Sequence, residues 1–360
     1  MTTAAPTRRQ VLVGAVSVGL LAACGEPRTT TASTNVSPRA ATVEVLLDAT
    51  ATQPPGTTPM AELVAKALPD AAVTSHRAHA DQAKQLQTAA DRGIGLVVLQ
   101  SIDTQAIGKA IKKAADDGVQ IIALDAIPQS HQGLALVLGW DEFSAGEKEI
   151  AAVAKEMARR TSERPPHHIE LFAGAPEDLR AKGRFDGEAF AMKALSKEGS
   201  LIVKSGQTSF QTAAVAPGSH EAFVQRLTTT FEVTYPRHTL DALVMPGDAY
   251  RSTVEATCRK LKRKVPLLLG SGATVDGVKA VAAGTQFSTI YRDPAPLASR
   301  LAKVVAAMQE GRSIAYNPKT SYRNEVRSVP GVFLLPTLVT KATGGAALAG
   351  NPVLASLLKP

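Results

Sequence analysis

The sequence predicts an α/β protein with two doubly wound lobes, and three observations support this fold class. From Thr42 onward, short apolar runs such as Val43–Asp48 alternate with amphipathic stretches. Near-continuous apolar strands between helices are typical of parallel sheets that are covered on both faces. Roughly ten such strands exceed what one hydrophobic core accommodates, so two lobes are expected.

The strands and helices can be assigned in order along the chain. Strands are predicted at 43–48, 96–99 and 119–125 in the first half, and at 168–172, 201–204, 242–245, 267–269 and 287–291 in the second half. Helices are predicted at 60–68, 81–93, 103–118, 144–159, 181–195, 220–229, 249–261, 274–283 and 296–309, where apolar residues recur at three- and four-residue spacing. The alternation therefore continues through both halves.

The chain begins with the pattern of an export signal. Arg8 and Arg9 precede an uncharged apolar run at 11–23, which is too short to span a bilayer as a helix. The small residues before Cys24 resemble a bacterial lipobox, and the arginine pair resembles a twin-arginine signal, with ordinary export as the alternative route. We expect a signal peptide at 1–23 and a lipidated Cys24 with a flexible tether at 24–41. The protein would then be anchored on the extracytoplasmic side of the cell membrane, unless 11–23 is a buried helix.

The charge and composition exclude several classes of function. The net charge is +8, but the basic residues are dispersed apart from the run at 259–264, which has no interleaved aromatic residues, so no nucleic-acid partner is expected. Cys258 has no partner once Cys24 is lipidated, and its place in a helical pattern favours a buried side chain. No catalytic motif or metal-ligand spacing is present, so we expect neither an enzyme nor a cofactor or metal.

Polar residues follow the predicted strands. In a doubly wound sheet, ligands bind beyond the carboxyl ends of the strands. Asp48, Gln100 and Asp125 hold this position in the first half, and Asp248 and Arg292 hold it in the second. These side chains are therefore candidates for ligand binding.

Several segments resemble the type 1 periplasmic sugar-binding proteins of ABC importers, most closely their xylose-binding branch. The resemblance covers about residues 42–340 and is carried by ADRGIGLVVL, KKAADDGVQIIALD, LFAGAPEDLRAKGRFDGEAF and GVKAVAAGTQFSTIYRDPAPLASRLAKVV. The stretch AAGTQFSTIYRD resembles the family's last large-lobe strand and the crossing after it, and SVPGVFLLPTLVT resembles its final crossing and terminal strand. The resemblance implies two Rossmann-like lobes, joined by three hinge crossings, that close on a sugar.

The same resemblance implies where the lobes begin and end. The hinges would lie near 138–144, 291–294 and 328–332. One lobe would hold 42–139 with 293–327, and the other 140–291 with 328–342. The remaining tail at 343–360 is expected to be loosely held.

The resemblance also implies a set of sugar-binding residues. Asp125 and Asp141 fall on family aspartates, Arg292 replaces a family lysine, and Asp248 follows a family asparagine position. Trp140, the single tryptophan, could stack on the sugar or pack at the hinge. The alternative role for Asp125 and Arg292 is a structural salt bridge. The ligand-binding set is Asp48, Gln100, Asp125, Trp140, Asp141, Arg180, Asp248 and Arg292.

This chain departs from the family at several of the sugar-binding positions. Ala126, Leu179, Gly247 and Gly272 stand where the family has polar side chains. Each change removes hydrogen-bonding capacity from the cleft, so xylose binding in the family's usual pose is not expected. The resemblance implies a monomeric, lipid-anchored protein that delivers a sugar or related polyol to an ABC permease. The alternative is a sensor or interaction lipoprotein that keeps the fold and has lost sugar recognition.

Overall fold

The computed structural model describes residues 31–32, 42–129, 132–160, 165–215, 220–316, 322–323 and 328–358. The predicted signal peptide and Cys24 lie outside these residues. Within the described part of the chain, no helix combines the length and the apolar character needed to cross a bilayer.

The described residues form two six-stranded sheets with helices on both faces. The strands are β1 (Val43–Asp48), β2 (Ala72–His76), β3 (Leu96–Leu99), β4 (Gln120–Leu124), β5 (Leu134–Trp140), β6 (His167–Leu171), β7 (Leu201–Ile202), β8 (Ala242–Val244), β9 (Leu267–Leu269), β10 (Ser288–Tyr291), β11 (Gly331–Leu334) and β12 (Thr337–Thr340). The helices are α1 (Met60–Ala67), α2 (His79–Asp91), α3 (Gly108–Asp116), α4 (Glu142–Arg159), α5 (Leu179–Lys197), α6 (Phe210–Ala213), α7 (His220–Thr229), α8 (Arg251–Lys260), α9 (Val275–Ala283), α10 (Pro294–Gln309), α11 (Gly344–Ala347) and α12 (Pro352–Ser356).

The first sheet has the strand order β11-β5-β4-β3-β1-β2, and all of its strands are parallel. Successive side chains of β1 point to opposite faces, which builds one core on each side of the sheet. Val45 packs with Leu301 of α10 on one face, and Leu46 packs with Leu86 and Ile111 of α2 and α3 on the other. The continuous burial of β3 explains its unbroken apolar sequence, and β1 is almost as continuously buried although it contains Glu44.

The second sheet has the order β12-β10-β9-β8-β6-β7, and only the β10–β12 pair is antiparallel. Helices α4 and α5 cover one face and approach closely at two glycines. A Cβ at Gly146 would lie 2.1 Å from the carbonyl oxygen of Arg184, and one at Gly187 would lie 1.9 Å from that of Phe143. This close approach brings polar side chains of α5 against α4. The prediction of two doubly wound α/β lobes is confirmed.

Three chain crossings join the lobes. The first leads from β5 through Asp141 into α4, which packs on the second sheet, and the second leads from β10 through Arg292 into α10, which packs on the first. The third lies between β11 and β12, because β11 pairs with β5 whereas β12 pairs with β10. The assignment of all of 328–342 to the second lobe is therefore wrong. The apolar run of β11 extends the first sheet before the chain crosses.

Two short antiparallel pairs lie outside the main sheets. Thr31–Ala32 pairs with Ile314–Ala315, and Tyr322–Arg323 pairs with Ser328–Val329. The first pair differs from the expectation of a flexible tether at 24–41. Backbone hydrogen bonds to the segment after α10 hold this short part of the tether against the first lobe.

The C-terminal segment is packed, so the expectation of a loose tail is wrong. Leu348 and Leu354 are fully buried in a cluster with Val278, Tyr291 and Val339 of the second lobe. Two apolar side chains six positions apart are enough to attach the segment when both enter one core. Their spacing in a Gly- and Ala-rich stretch shows no clear helical or strand period, which is why the sequence pattern did not indicate it.

Candidate functional site

A cleft of about 630 Å³ lies between the two lobes at the carboxyl ends of both sheets. The first lobe lines it with Gln100, Asp125 and Trp140, which follow or end β3, β4 and β5. The loop after β1, also in the first lobe, contributes Thr52, Gln53, Pro54 and Pro55. The second lobe lines the cleft with the residues that follow β6, β8, β9 and β10. The cleft is therefore where a doubly wound fold places its ligand.

Asp125 has a strained backbone and an unused acceptor. Its φ is +61°, in the left-handed region that non-glycine residues seldom adopt. Its Oδ2 accepts a hydrogen bond from Arg180 Nη1 at 3.1 Å, whereas Oδ1 is buried and has no partner among the described residues. Strained residues with unsatisfied buried polar atoms occur at functional sites, where a ligand can complete the hydrogen bonding.

Arg180 links the two lobes across this cleft. It lies in the first turn of α5 in the second lobe and binds the Asp125 carboxylate of the first, which raises the pKa of the guanidinium. Asp178 accepts from the Arg180 backbone N–H at 2.9 Å and from its Nε at 3.5 Å. The side-chain amide of Gln129 makes a second contact between the lobes by donating to the carbonyl oxygen of Glu177. Both contacts lie on the α5 side of the cleft.

Arg292 is held at the opposite, hinge side. Its Nε and Nη2 donate to the two carboxylate oxygens of Glu142 at 2.7 and 2.5 Å, and its Nη1 donates to Ser271 Oγ at 2.9 Å. Glu142 is almost completely buried. A bidentate pair of this kind fixes the orientation of the guanidinium, so Arg292 presents a defined edge to the cleft.

Behind these groups lies a buried cluster of Arg184 with two glutamates. Arg184 donates to Glu149 Oε2 from Nε and Nη2 at 3.0 and 2.7 Å, and its Nε lies 3.0 Å from Glu188 Oε1. Burial raises the pKa of Glu188 to about 8, and it raises that of Glu149, because one guanidinium does not fully offset two buried carboxylates. Glu188 therefore favours its protonated form at neutral pH.

Asp248 lines the cleft, but its oxygens are already used within the second lobe. Oδ2 accepts from Thr289 Oγ1 at 2.8 Å and from the Thr274 backbone N–H at 3.0 Å, and Oδ1 accepts from Gln286 Nε2 at 2.8 Å. Burial raises the pKa of Asp248, and these donors oppose the rise. Its evident role is to hold the turn after β9.

The structure does not bring all the predicted residues together. Asp48 and Asp141 do not line the cleft: Asp48 accepts from Thr50, and Asp141 caps α4 by accepting from the backbone N–H and the hydroxyl of Ser144. Both are strand-end aspartates whose short side chains bond to the next turn instead. Trp140 lines the cleft and also packs in the first-lobe core, which agrees with the packing role, and stacking on a sugar stays a prediction.

Four charged residues of the cleft were missed by the sequence reasoning. They are Glu142, Asp178, Arg184 and Glu188. Glu142 directly follows the first crossing, and Arg184 and Glu188 are four residues apart on α5, a spacing typical of an exposed ion pair. Only the packing of α5 against α4 reveals that these groups are buried.

Comparison with known proteins identifies the family. The model of the periplasmic binding protein domain matches residues 56–313, which is more than half of the chain. The chain belongs to the periplasmic binding protein domain family. The expected family resemblance is confirmed.

Curated relatives of this periplasmic binding protein cover most of its length. It is 26% identical over 266 residues to the multiple sugar-binding periplasmic receptor ChvE of Rhizobium radiobacter, covering 72% of this chain and 75% of that protein. It is 24% identical over 264 residues to the D-xylose-binding periplasmic protein of Escherichia coli, covering 72% and 74%. These relatives are binding proteins rather than enzymes, in agreement with the absence of a catalytic motif in the sequence.

Solved structures have the same fold. An ABC transporter solute-binding protein from Clostridium phytofermentans with bound β-D-glucose superposes with a TM-score of 0.71, 23% identity and coverage of 88% of this chain and 99% of that one. A myo-inositol-binding protein from Caulobacter superposes with a TM-score of 0.58, 14% identity and coverage of 87% and 97%. The two-lobed architecture is thus shared over nearly the whole of both proteins.

Proposed function

We propose that this protein is a lipid-anchored extracytoplasmic solute-binding protein that captures a sugar or sugar-like polyol between its lobes and delivers it to an ABC permease. The observation that carries the proposal is Asp125, whose buried Oδ1 has no hydrogen-bond partner in the described part of the chain and lies in a cleft lined by both lobes. A sugar hydroxyl is a donor of the right kind for this oxygen.

The remainder of the cleft suits a polyol. Gln100 and Asp125 of the first lobe and Arg292 of the second offer an amide, a carboxylate and a guanidinium to a ligand between them. Trp140 adds an aromatic surface for the apolar face of a sugar ring. A ligand that contacts both lobes stabilises the closed arrangement, and this is the form that a permease can distinguish from the open one.

Anchoring and export rest on the N-terminal sequence. Arg8, Arg9 and the apolar run at 11–23 precede Cys24 in the order of a lipoprotein signal. Fractionation of cells producing Cys24→Ser tests this part: the variant should leave the membrane fraction. A variant that stays with the membrane would exclude the cysteine as the anchor.

A thermal-shift screen tests ligand binding. Pentoses, hexoses, cyclitols and nucleosides are added to the protein without its signal peptide, and one class should raise the melting temperature by mass action. No shift with any sugar or cyclitol would contradict the proposal.

A sensor is the second candidate, favoured by the Asp125–Arg180 ion pair. This pair connects the lobes through the protein's own side chains, so lobe closure need not depend fully on a sugar. Reconstitution with an ABC permease encoded next to this gene separates the two functions. Sugar-dependent stimulation of ATP hydrolysis supports transport, whereas a protein that neither binds a sugar nor stimulates hydrolysis supports the sensor that has lost sugar recognition.

A further inference from the structure

The C-terminal segment reaches across the hinge side of the molecule to the other lobe. Leu348 and Leu354 attach it to the second-lobe core, and Asn351 between them is 2% exposed. The Asn351 Nδ2 donates to the carbonyl oxygen of Pro55 at 2.9 Å. Pro55 lies in the β1–α1 loop, residues 49–59, which follows the first strand of the first lobe.

The β1–α1 loop is also a wall of the cleft. Four of its residues line the cavity: Thr52, Gln53, Pro54 and Pro55. Gly56 fits tightly against the C-terminal segment, because a Cβ there would lie 2.5 Å from Val353 Cβ and 2.8 Å from Asn351 Oδ1. Its φ of +75° is one that glycine adopts readily. The loop is therefore fitted to the segment by both a hydrogen bond and close packing.

Asn351 makes three hydrogen bonds with its side chain. Besides the bond to Pro55, its Nδ2 lies 3.4 Å from the Tyr291 hydroxyl at the end of β10, and its Oδ1 accepts from the Leu354 backbone N–H at 3.0 Å as the cap of α12. The amide thus connects the C-terminal helix, the strand before the second crossing and the cleft loop.

We propose that Asn351 is a positioning residue of the ligand cleft, which holds the β1–α1 loop at a fixed place relative to the second lobe through Pro55. This inference rests on the proposed function, since it assigns Asn351 a role in the affinity for the same ligand. The bond to Pro55 joins segments of different lobes, so it depends on how the lobes are arranged. When it forms, the loop closes the ligand between both lobes.

Two matched variants distinguish a role of Asn351 in positioning the β1–α1 loop from a role in supporting the C-terminal helix. Asn351→Ser keeps an N-cap oxygen for Leu354 and removes the amide that reaches Pro55. Tyr291→Phe removes the other partner of Nδ2 and leaves the bond to Pro55. Ligand affinity is measured by calorimetry with the sugar that gives the largest thermal shift, and hydrogen exchange is followed at 49–59 and at 344–358 in the ligand-free protein.

For Asn351→Ser we expect about three- to tenfold weaker binding, the range of one lost hydrogen bond, and faster exchange at 49–59 with unchanged exchange at 344–358. Tyr291→Phe should bind within about twofold of the wild type. Unchanged affinity and unchanged loop exchange in Asn351→Ser would overturn the inference.

A second variant keeps the inference testable if Asn351→Ser also unfolds α12, the helix that Asn351 caps. Gly56→Ala leaves Asn351 unsubstituted but places a Cβ against Val353 and the Asn351 Oδ1, which displaces the loop from the segment. It should reproduce both the weaker binding and the faster loop exchange. Wild-type affinity in Gly56→Ala would overturn the inference. If the wild type binds no sugar, the proposed function fails, and the exchange of the loop in Asn351→Ser still decides whether Asn351 positions it.

Discussion

Arg292 and Glu142 form a bidentate ion pair between two of the three crossings that join the lobes. Glu142 is the first residue of α4, directly after the first crossing, and Arg292 lies in the second crossing. The two hydrogen bonds measure 2.7 and 2.5 Å, and Glu142 is 1% exposed. The pair therefore fixes the first and second crossings to each other at the edge of the cleft.

Removal of the guanidinium should destabilise the protein. Arg292→Gln leaves the Glu142 carboxylate buried without a counter-ion, and we expect a loss of about 3 kcal/mol in the free energy of unfolding, measured by urea denaturation. The double variant Glu142→Gln with Arg292→Gln should recover part of this loss, because no buried charge remains. Equal stability of Arg292→Gln and the wild type would contradict a structural role for the pair.

Sugar acids should bind more weakly than neutral sugars. Each of the three arginines that line the cleft in the described part of the chain, Arg180, Arg184 and Arg292, already binds a carboxylate. An anionic ligand would therefore lie beside arginines that are already paired and beside the carboxylates that line the cleft. We expect a uronic acid to bind at least about tenfold more weakly than its uncharged methyl ester in calorimetry. Tighter binding of the acid would show that an arginine exchanges its partner for the ligand.

Asp125 and Asp48 offer a matched pair of strand-end aspartates. Asp125→Asn keeps the size of the side chain and tolerates the left-handed backbone, but it loses the charge that accepts hydrogen bonds most strongly. We expect about tenfold or greater loss of sugar affinity for Asp125→Asn and no change for Asp48→Asn, whose side chain lies outside the cleft lining. Equal effects of the two variants would remove Asp125 from the site.

The buried Glu188 should make stability depend on pH. Its pKa of about 8 in the folded protein lies above that of an exposed glutamate. The folded state then holds a proton that the unfolded state has lost, so this stabilisation is full at low pH and declines as the pH rises toward 8. The groups that act on Glu188 are Arg184, Glu149 and Glu142.

Glu188→Gln tests this linkage. The glutamine resembles the protonated side chain at every pH, so the decline in unfolding free energy between pH 5 and pH 8 should become shallower in the variant. Urea denaturation at several pH values measures the slope. The same slope in wild type and variant would assign the pH dependence to another group.

The approach of α4 to α5 should tolerate no side chain at Gly146. A Cβ there would meet the backbone of Arg184 at 2.1 Å, and backbone is hard to displace. We expect Gly146→Ala to lower stability by about 1–3 kcal/mol despite the better helix propensity of alanine. The control is Gly345→Ala in α11, where nothing lies within 4 Å. Its melting temperature should stay near that of the wild type, and a similar value for Gly146→Ala would contradict the close packing.

Much of the fold could be predicted from the apolar pattern, because buried parallel strands have continuous apolar sequences. The predicted strands at 43–48, 96–99 and 267–269 agree with β1, β3 and β9 residue by residue. Strand β2, with the sequence AVTSH, was missed because it is a partly exposed edge strand without an apolar run. Strand β5 was missed although it is almost entirely apolar, since a short apolar run does not by itself distinguish a strand from a buried helix.

The position of the candidate site could be predicted from the sequence, but the ion pairs among its side chains could not. Strand ends indicated Gln100, Asp125 and Arg292, because parallel strands bring their carboxyl ends to one edge. The carboxylate that binds Arg292 belongs to Glu142, which is 150 positions away in sequence. Such pairs are set by the tertiary packing of the crossings, which local patterns do not contain. Asp141 was expected in the cleft because it falls on a family aspartate, whereas its place before α4 makes it a helix cap.

Isothermal titration of the purified protein with the sugar selected by the thermal-shift screen tests the two-lobed binding cleft most directly. The proposed function predicts saturable binding of one sugar per protein molecule, which is lost or greatly weakened in Asp125→Asn. Absence of binding heat across the sugars and cyclitols, or full binding in the Asp125 variant, would contradict it.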